Sequence, residues 1–206
     1  MKKLLVLVFS LFLLSSPSVF ANSIYDLEIE GVSIGDSLLD YMSEEEILKE
    51  IEFTKDWYLF LKEPNKYSDV ELLKNLNTFD QLAVFIKNNS SNKYVSDKNE
   101  KYLILGIRGI IFYDQDFDGC KQERDEIIEI FSKILTNAER FDTVNPHPAD
   151  PSGNSIEDIV YFDNPPYEGT RIICTDWDES ITNEYNWTDN LSVLIENEEI
   201  IKWFEN

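Results

Sequence analysis

The sequence predicts an α+β fold: one domain in which an antiparallel β-sheet carries helices packed on one face. Three observations predict it. Extended runs rich in β-branched residues outnumber helical ones and follow one another along the chain. Only one long stretch, Lys121 to Asn137, places apolar residues at the three-and-four spacing of a helix. Neighbouring extended runs joined by short connections favour antiparallel pairing, which leaves the helices to cover a face. Hydrophobic residues at 43% and aromatics at 13% are enough to fill a core, and no Pro/Gly-rich linker, repeat or low-complexity block divides the chain.

Residues 1–21 read as a secretory signal peptide and residues 22–206 as one secreted or periplasmic domain. Lys2 and Lys3 form a basic head, Leu4 to Leu14 is apolar apart from Ser10, and Val19-Phe20-Ala21 supplies a cleavage site after Ala21. The apolar run is much shorter than the roughly 20 residues a membrane-spanning helix needs, so no stable anchor is expected after cleavage. No cysteine follows Ala21, which argues against a lipoprotein.

The elements follow in order. Leu27 to Ile34 alternates apolar with polar or glycine positions, as a half-buried strand does. Gly35 and Asp36 end it. Ser43-Glu44-Glu45-Glu46 has capping-box spacing, so a helix should start at Ser43 and bury Ile47, Leu48 and Ile51, with Glu44 and Glu45 left in solvent. A second Ser-x-x-Glu, Ser68 to Glu71, predicts a short helix or turn ahead of Leu72, Leu73 and Leu76. Phe79 to Lys87 is apolar on both faces, the mark of a central strand, and pairs in hairpin fashion with Lys101 to Tyr113 across a polar loop from Asn88 to Glu100. Gly106 and Gly109 mark a bulge or a close backbone approach. After the Lys121 helix and a broken loop from Asn145 to Ser155, strands are expected at Ile156 to Phe162, Gly169 to Thr175 and Leu191 to Ile195. A turn at Asn164-Pro165-Pro166 and a closing helix from Glu198 to Phe204 complete the pattern.

Charge narrows the partners. Forty acidic residues against eighteen basic give a net charge of −22, two units more negative once Lys2 and Lys3 are removed. Such a surface repels phosphate backbones and anionic lipid heads, so nucleic acid is not expected as a partner, while cations and basic partners are favoured. The acidity also serves solubility.

Few residues carry recognisable chemistry. Cys120 and Cys174 are an even pair in an exported chain and are expected to form a disulfide that brings the strand near Thr175 beside the start of the Lys121 helix. Asp114-Gln115-Asp116-Phe117-Asp118-Gly119 matches the opening half of a calcium loop, with Asp114, Asp116, Asp118 and Asp125 as candidate ligands. The closing half departs from it. Lys121 stands at the eighth position, and Asp125 replaces the long bidentate glutamate at the twelfth. The favoured reading is an acidic strand-to-helix connection in which Asp118 helps cap the helix, with no cofactor required and calcium as the alternative. His147, between Pro146 and Pro148 and near Asp150 and Ser152, reads as a loop residue because no G-x-S-x-G elbow accompanies it. Trp177, Tyr185, Trp187, Trp203 and Phe204 read first as core and second as a sugar-binding platform beside amides and carboxylates.

The stretch Ile29 to Glu46, the Asp150 to Ser155 segment, the Ile172 to Trp177 strand and the Glu198 to Trp203 ending resemble small uncharacterised exported proteins of marine bacteria. That resemblance implies export and no activity. Gly31 to Glu46 also resembles the strand, I-G-x-S turn and helix that open small periplasmic interaction domains of the outer-membrane assembly and β-lactamase-inhibitor type, which implies binding. The expectation is therefore a non-catalytic secreted or periplasmic module that binds a protein or small ligand in the envelope. The alternative is an envelope hydrolase working through paired carboxylates or a metal at the Asp114–Asp118 loop.

Overall fold

In the computed structural model of the chain, residues 24–55, 66–72, 76–88, 100–164 and 168–205 are described. The leader, most of the 88–100 loop, Leu73 and the Pro165-Pro166 turn lie outside them.

The alternating stretch from Leu27 buries Leu27, Ile29, Val32 and Ile34 but forms two short strands, β1 (Glu28–Ile29) and β2 (Val32–Ser33), instead of one. The chain reverses at Glu30 and Gly31, whose φ values of 53° and 77° are the two left-handed positions of a tight hairpin turn. Glycine adopts that conformation freely. Glu30 is held in it by its carboxylate, which accepts the backbone N–H groups of Asn77, Thr78 and Phe79.

Helix α1 (Glu44–Thr54) starts where the capping box puts it. Ser43 Oγ accepts the Glu46 N–H at 3.3 Å, and Glu46 Oε2 accepts the Ser43 N–H at 2.8 Å. Ile47 is fully buried and Ile51 packs against the core, but Leu48 is 48% exposed, so the expected stripe is narrower by one residue. Glu44 stays exposed, as expected, and also accepts from Lys101 Nζ and Tyr102 Oη, both at 3.1 Å, which ties the helix to the residues just ahead of the strand that begins at Leu103. Ser43→Ala is expected to lower stability by about 1 kcal/mol, as loss of a cap does. Leu48→Ala should stay within about 0.5 kcal/mol, since the side chain is largely in water. Urea unfolding of the two variants checks the contrast.

Seven strands form the main sheet in the order β3-β4-β5-β9-β8-β7-β6. Every neighbouring pair is antiparallel. β3 (Tyr67–Glu71), β4 (Gln81–Lys87) and β5 (Leu103–Asp114) make one meander; β6 (Glu139–Pro146), β7 (Ile156–Asn164), β8 (Glu168–Asp176) and β9 (Asp189–Glu196) make the other. Helix α2 (Phe117–Ile134) connects them, and β9 joins them by pairing with β5. The short helix or turn expected from Ser68–Glu71 is therefore a strand. Tyr67, Ser68, Asp69 and Val70 are all buried, and Thr54 Oγ1 donates to the Asp69 carbonyl at 2.7 Å, so tertiary pairing overrides a fortuitous Ser-x-x-Glu spacing. Both glycine readings hold. The β4–β5 register shifts next to Gly106, and a Cβ on Gly109 would fall 2.6 Å from the Phe79 ring.

Side chains alternate across the strands, and the two faces have different fates. One face, with Val84, Ile107, Val160, Ile172, Val193 and their neighbours, forms the main core against Ile127, Ile128, Phe131 and Leu135 of α2 and the N-terminal segment. Cys120 in the first turn of α2 is joined to Cys174 of β8 by a disulfide with Cα atoms 6.0 Å apart, as the even count predicts. Among the described residues, the other face is covered only at its ends. Helix α4 (Glu198–Glu205) docks Ile200 and Trp203 against Tyr67, Phe85 and Leu105, while the short helix α3 (Glu179–Tyr185) and its flanking loops rise at the opposite end. Among the described residues no helix is long and apolar enough to cross a membrane.

Candidate functional site

Between those two ends, the open sheet face forms a concave groove of about 1280 Å³. The strand register arranges its floor in rows. One row runs Ala83, Arg108, Leu194, Arg171, Tyr161; the next runs Phe85, Gly106, Glu196, Gly169, Asp163. Glycines on both sides of Glu196 leave room there for α4, whose Ile201 Cδ1 would lie 3.7 Å from a Cβ at Gly169. Towards the other end come Ile110, Ser192 and Ile173, then Phe112, Asn190, Thr175 and Glu157. From Glu196 to Asn190 the floor extends roughly 20 Å at about 3.3 Å per residue.

Both cations on this floor lie beside acids, and Glu157 and Asp163 add two further carboxylates. The chain has only four arginines, and two of them lie in one row, each beside an acid: Arg108 Nη2 is 3.5 Å from Asp69 Oδ2, and Arg171 Nη2 pairs with Glu196 Oε2. Glu196 is 3% exposed, and its second oxygen, Oε1, has no hydrogen-bond partner among the described residues. Burial pushes the Glu157 carboxyl up, against the pull of Arg171. The Asp163 carboxyl is also raised, chiefly by desolvation and then by Glu139 against Arg171, although the residue as a whole is exposed and solvent limits the effect.

The far wall is aromatic. Trp177 follows β8, and its backbone N–H donates to the buried Asp189 carboxylate at 2.9 Å; Asp178 caps α3 by accepting the Ser180 N–H; Asn186, left-handed at φ 58°, ends α3 and releases Trp187. The rings of His147, Trp177, Trp187 and Tyr185 follow one another with centroids 4.1, 4.7 and 5.0 Å apart. His147 is a wall residue with a fixed tautomer. Its Nδ1 accepts the Ala149 N–H at 3.0 Å, so the proton of the neutral ring sits on Nε2, 3.4 Å from Glu157 Oε1. Burial holds the ring below its ordinary pKa, against the attraction of Asp150. Neither nitrogen addresses Ser152.

Asp150 braces this wall instead of a reaction. Its carboxylate accepts the Ser155 N–H and Oγ–H and the Ser152 N–H, each at 2.8 Å, and Ser155 Oγ in turn accepts the Asp178 N–H at 2.9 Å. Those donors, Ser155 first, hold the carboxyl far below the usual range. A depressed folded-state pKa gives stability that is complete above the unfolded value of about 3.9 and is lost as pH falls below it. Asp150→Asn is therefore expected to be less stable than the wild type at neutral pH, with the gap closing as pH drops from about 4. Urea midpoints measured over that range test this; a constant gap would remove Asp150 as the titrating brace.

The acidic Asp114–Asp125 segment is arranged as a helix entry. Helix α2 begins at Phe117, earlier than the expected Lys121, and its cap is Asp116, which accepts the Gly119 N–H at 3.0 Å, instead of Asp118. Asp118 is exposed and pairs with Lys121, Asp125 pairs with Arg124, and Asp114 ends β5 in a left-handed conformation. Among the described residues no group of three or more His, Cys, Asp or Glu side chains is placed to hold a metal ion. The aromatic cluster divides. Trp203 packs on Tyr67 as core, but Trp187 and Phe204 line the groove at 39% and 38% exposed, and Tyr185, stacked on Trp187, is 52% exposed, where the sequence favoured burial.

Comparison with protein-family models, curated proteins and solved structures finds no match, so the groove's own chemistry carries the functional reading.

Proposed function

We propose that the protein is a non-catalytic binding module of the cell envelope, secreted or periplasmic, that holds its ligand in the concave face of the sheet. One observation carries this: a sheet face left open between α4 and the α3 wall presents paired polar groups along its floor and aromatic rings at its side, the composition of a ligand site. The Cys120–Cys174 bridge supports an oxidising compartment, in line with the signal-like segment ending at Ala21. Net charge argues against nucleic acid.

Screening of indole, phenol, amide and polyol fragments by NMR tests the reading. Shifts should cluster on the Trp177 and Trp187 indole N–H and the Arg171 Nε–H signals. Clustering confined to the α2 surface or the β6 edge would remove the groove as the site.

The hydrolase alternative retains one specific foothold. Asp163 and Glu196 lie in one row on either side of Gly169, so their Cα atoms are about 10 Å apart, two strand spacings, and a raised carboxyl opposite a second acid is the arrangement glycoside hydrolysis uses. The ion pair with Arg171 favours a binding role for Glu196. Release of new reducing ends from an oligosaccharide, lost in Asp163→Asn, would replace the non-catalytic reading with this one.

A further inference from the structure

We infer that the groove's ligand is an uncharged, hydroxyl-rich oligomer: a neutral oligosaccharide that lies along β8 and β9 from the Glu196–Arg171 pair to the Trp177–Trp187 wall. The inference rests on the groove being the binding site and goes on to name what fills it.

The unsatisfied Glu196 oxygen selects the chemistry. A buried carboxylate oxygen without a donor costs free energy, so the ligand should supply an O–H or N–H at that point. Arg171 stands beside it with a side chain 32% exposed, able to donate into the same space. An ammonium group would satisfy Glu196 and be repelled by Arg171. A carboxylate or phosphate would suit Arg171 and meet Glu196 and Asp163 in the same row. A hydroxyl donates to one and accepts from the other, and it alone among these suits both partners. The same balance recurs along the floor, where Ser192, Thr175 and Asn190 add groups that both donate and accept.

Size and shape select an oligomer. The groove of about 1280 Å³ exceeds the roughly 300–1,000 Å³ of sites for drug-sized ligands. Its unsatisfied acceptor and its aromatic wall sit at opposite ends of a floor roughly 20 Å long, beyond the span of one ring. Trp187, 39% exposed, supplies apolar ring surface for the C–H side of a sugar, and Trp177, packed between the His147 and Trp187 rings, backs it.

Calorimetric titration of the disulfide-intact protein with cellohexaose, laminarihexaose, maltohexaose and chitohexaose, beside a mannuronate hexasaccharide and hexalysine, decides the matter. Salt of about 0.15 M screens long-range attraction by the acidic surface. At least one neutral hexasaccharide should bind saturably and slow amide exchange in β8 and β9. Glu196→Gln and Trp187→Ala should each weaken that binding about tenfold or more, the scale of one hydrogen bond to a charged group or one stacked ring. Trp187 lies at the rim, so its variant tests the site even if Glu196→Gln perturbs folding. Groove protection by the mannuronate oligomer or by hexalysine, with none from the neutral sugars, would overturn the sugar assignment and leave the groove standing. Neutral-sugar binding indifferent to both substitutions, or no protection of β8 and β9 by any probe, would overturn the groove as well.

Discussion

Replacing Cys120 and Cys174 by serine is expected to lower unfolding stability by about 4 kcal/mol, with the helical face loosened more than the groove. The bridge spans 54 residues, and a closed loop of that size restricts the unfolded chain by about 4 kcal/mol on the entropy model, within the 2–5 kcal/mol usual for native disulfides. Both cysteines are fully buried, so reductant acts on the native protein only through opening, and reduction should be slow without denaturant. The bridge also fastens the first turn of α2 to β8, whose covered face it shares with Ile172. Intact mass with and without reductant fixes the oxidation state, and urea unfolding of the double variant measures the loss. A loss below about 1 kcal/mol would mean that native strain offsets the restriction of the unfolded chain.

What the sequence disclosed and what it concealed both have physical causes. The capping box at Ser43, the amphipathic period of α2 and the doubly apolar β4–β5 pair are local patterns, legible because each element's burial is written into consecutive residues. Strand β6 escaped notice because it is a solvent-exposed edge: Glu139, Arg140, Asp142 and Asn145 give no apolar alternation, and Arg140 pairs with Asp142 along its own strand. The first hairpin was hidden by a glutamate where a tight turn favours asparagine or glycine, and the Glu30 bonds that stabilise it reach residues nearly fifty positions away.

The groove was less legible than the fold for a related reason. Arg108, Arg171, Glu196 and Asp163 come from four strands that sequence order does not place together; only the β5-β9-β8-β7 arrangement sets them in adjoining rows. The one usable local signal was the aromatic cluster from Trp177 to Trp187 among amides and acids, and composition alone could not separate a wall from a core. Cys120 and Cys174, by contrast, needed only a count.

Ile172→Ala should cost roughly 2–5 kcal/mol, the range for removing a large aliphatic side chain from a filled core. Ile172 is fully buried on β8 between Val160 of β7 and Val193 of β9, on the face α2 covers, and β8 is an interior strand that cannot shift to close the cavity without disturbing both neighbours. At about 3 kcal/mol the midpoint of thermal unfolding would fall by roughly 6–12 °C for a chain of this size. The next residue gives the control. Ile173 points into the groove beside Ser192 and Ile159, where truncation leaves space open to solvent, so Ile173→Ala should cost less in stability and act mainly on whatever the groove holds. Equal losses at the two positions would mean that the groove face is packed as tightly as the core, and would count against an open site there; a large loss at Ile172 with a small one at Ile173 is the signature of a strand that supports the fold with one face and offers the other to a ligand.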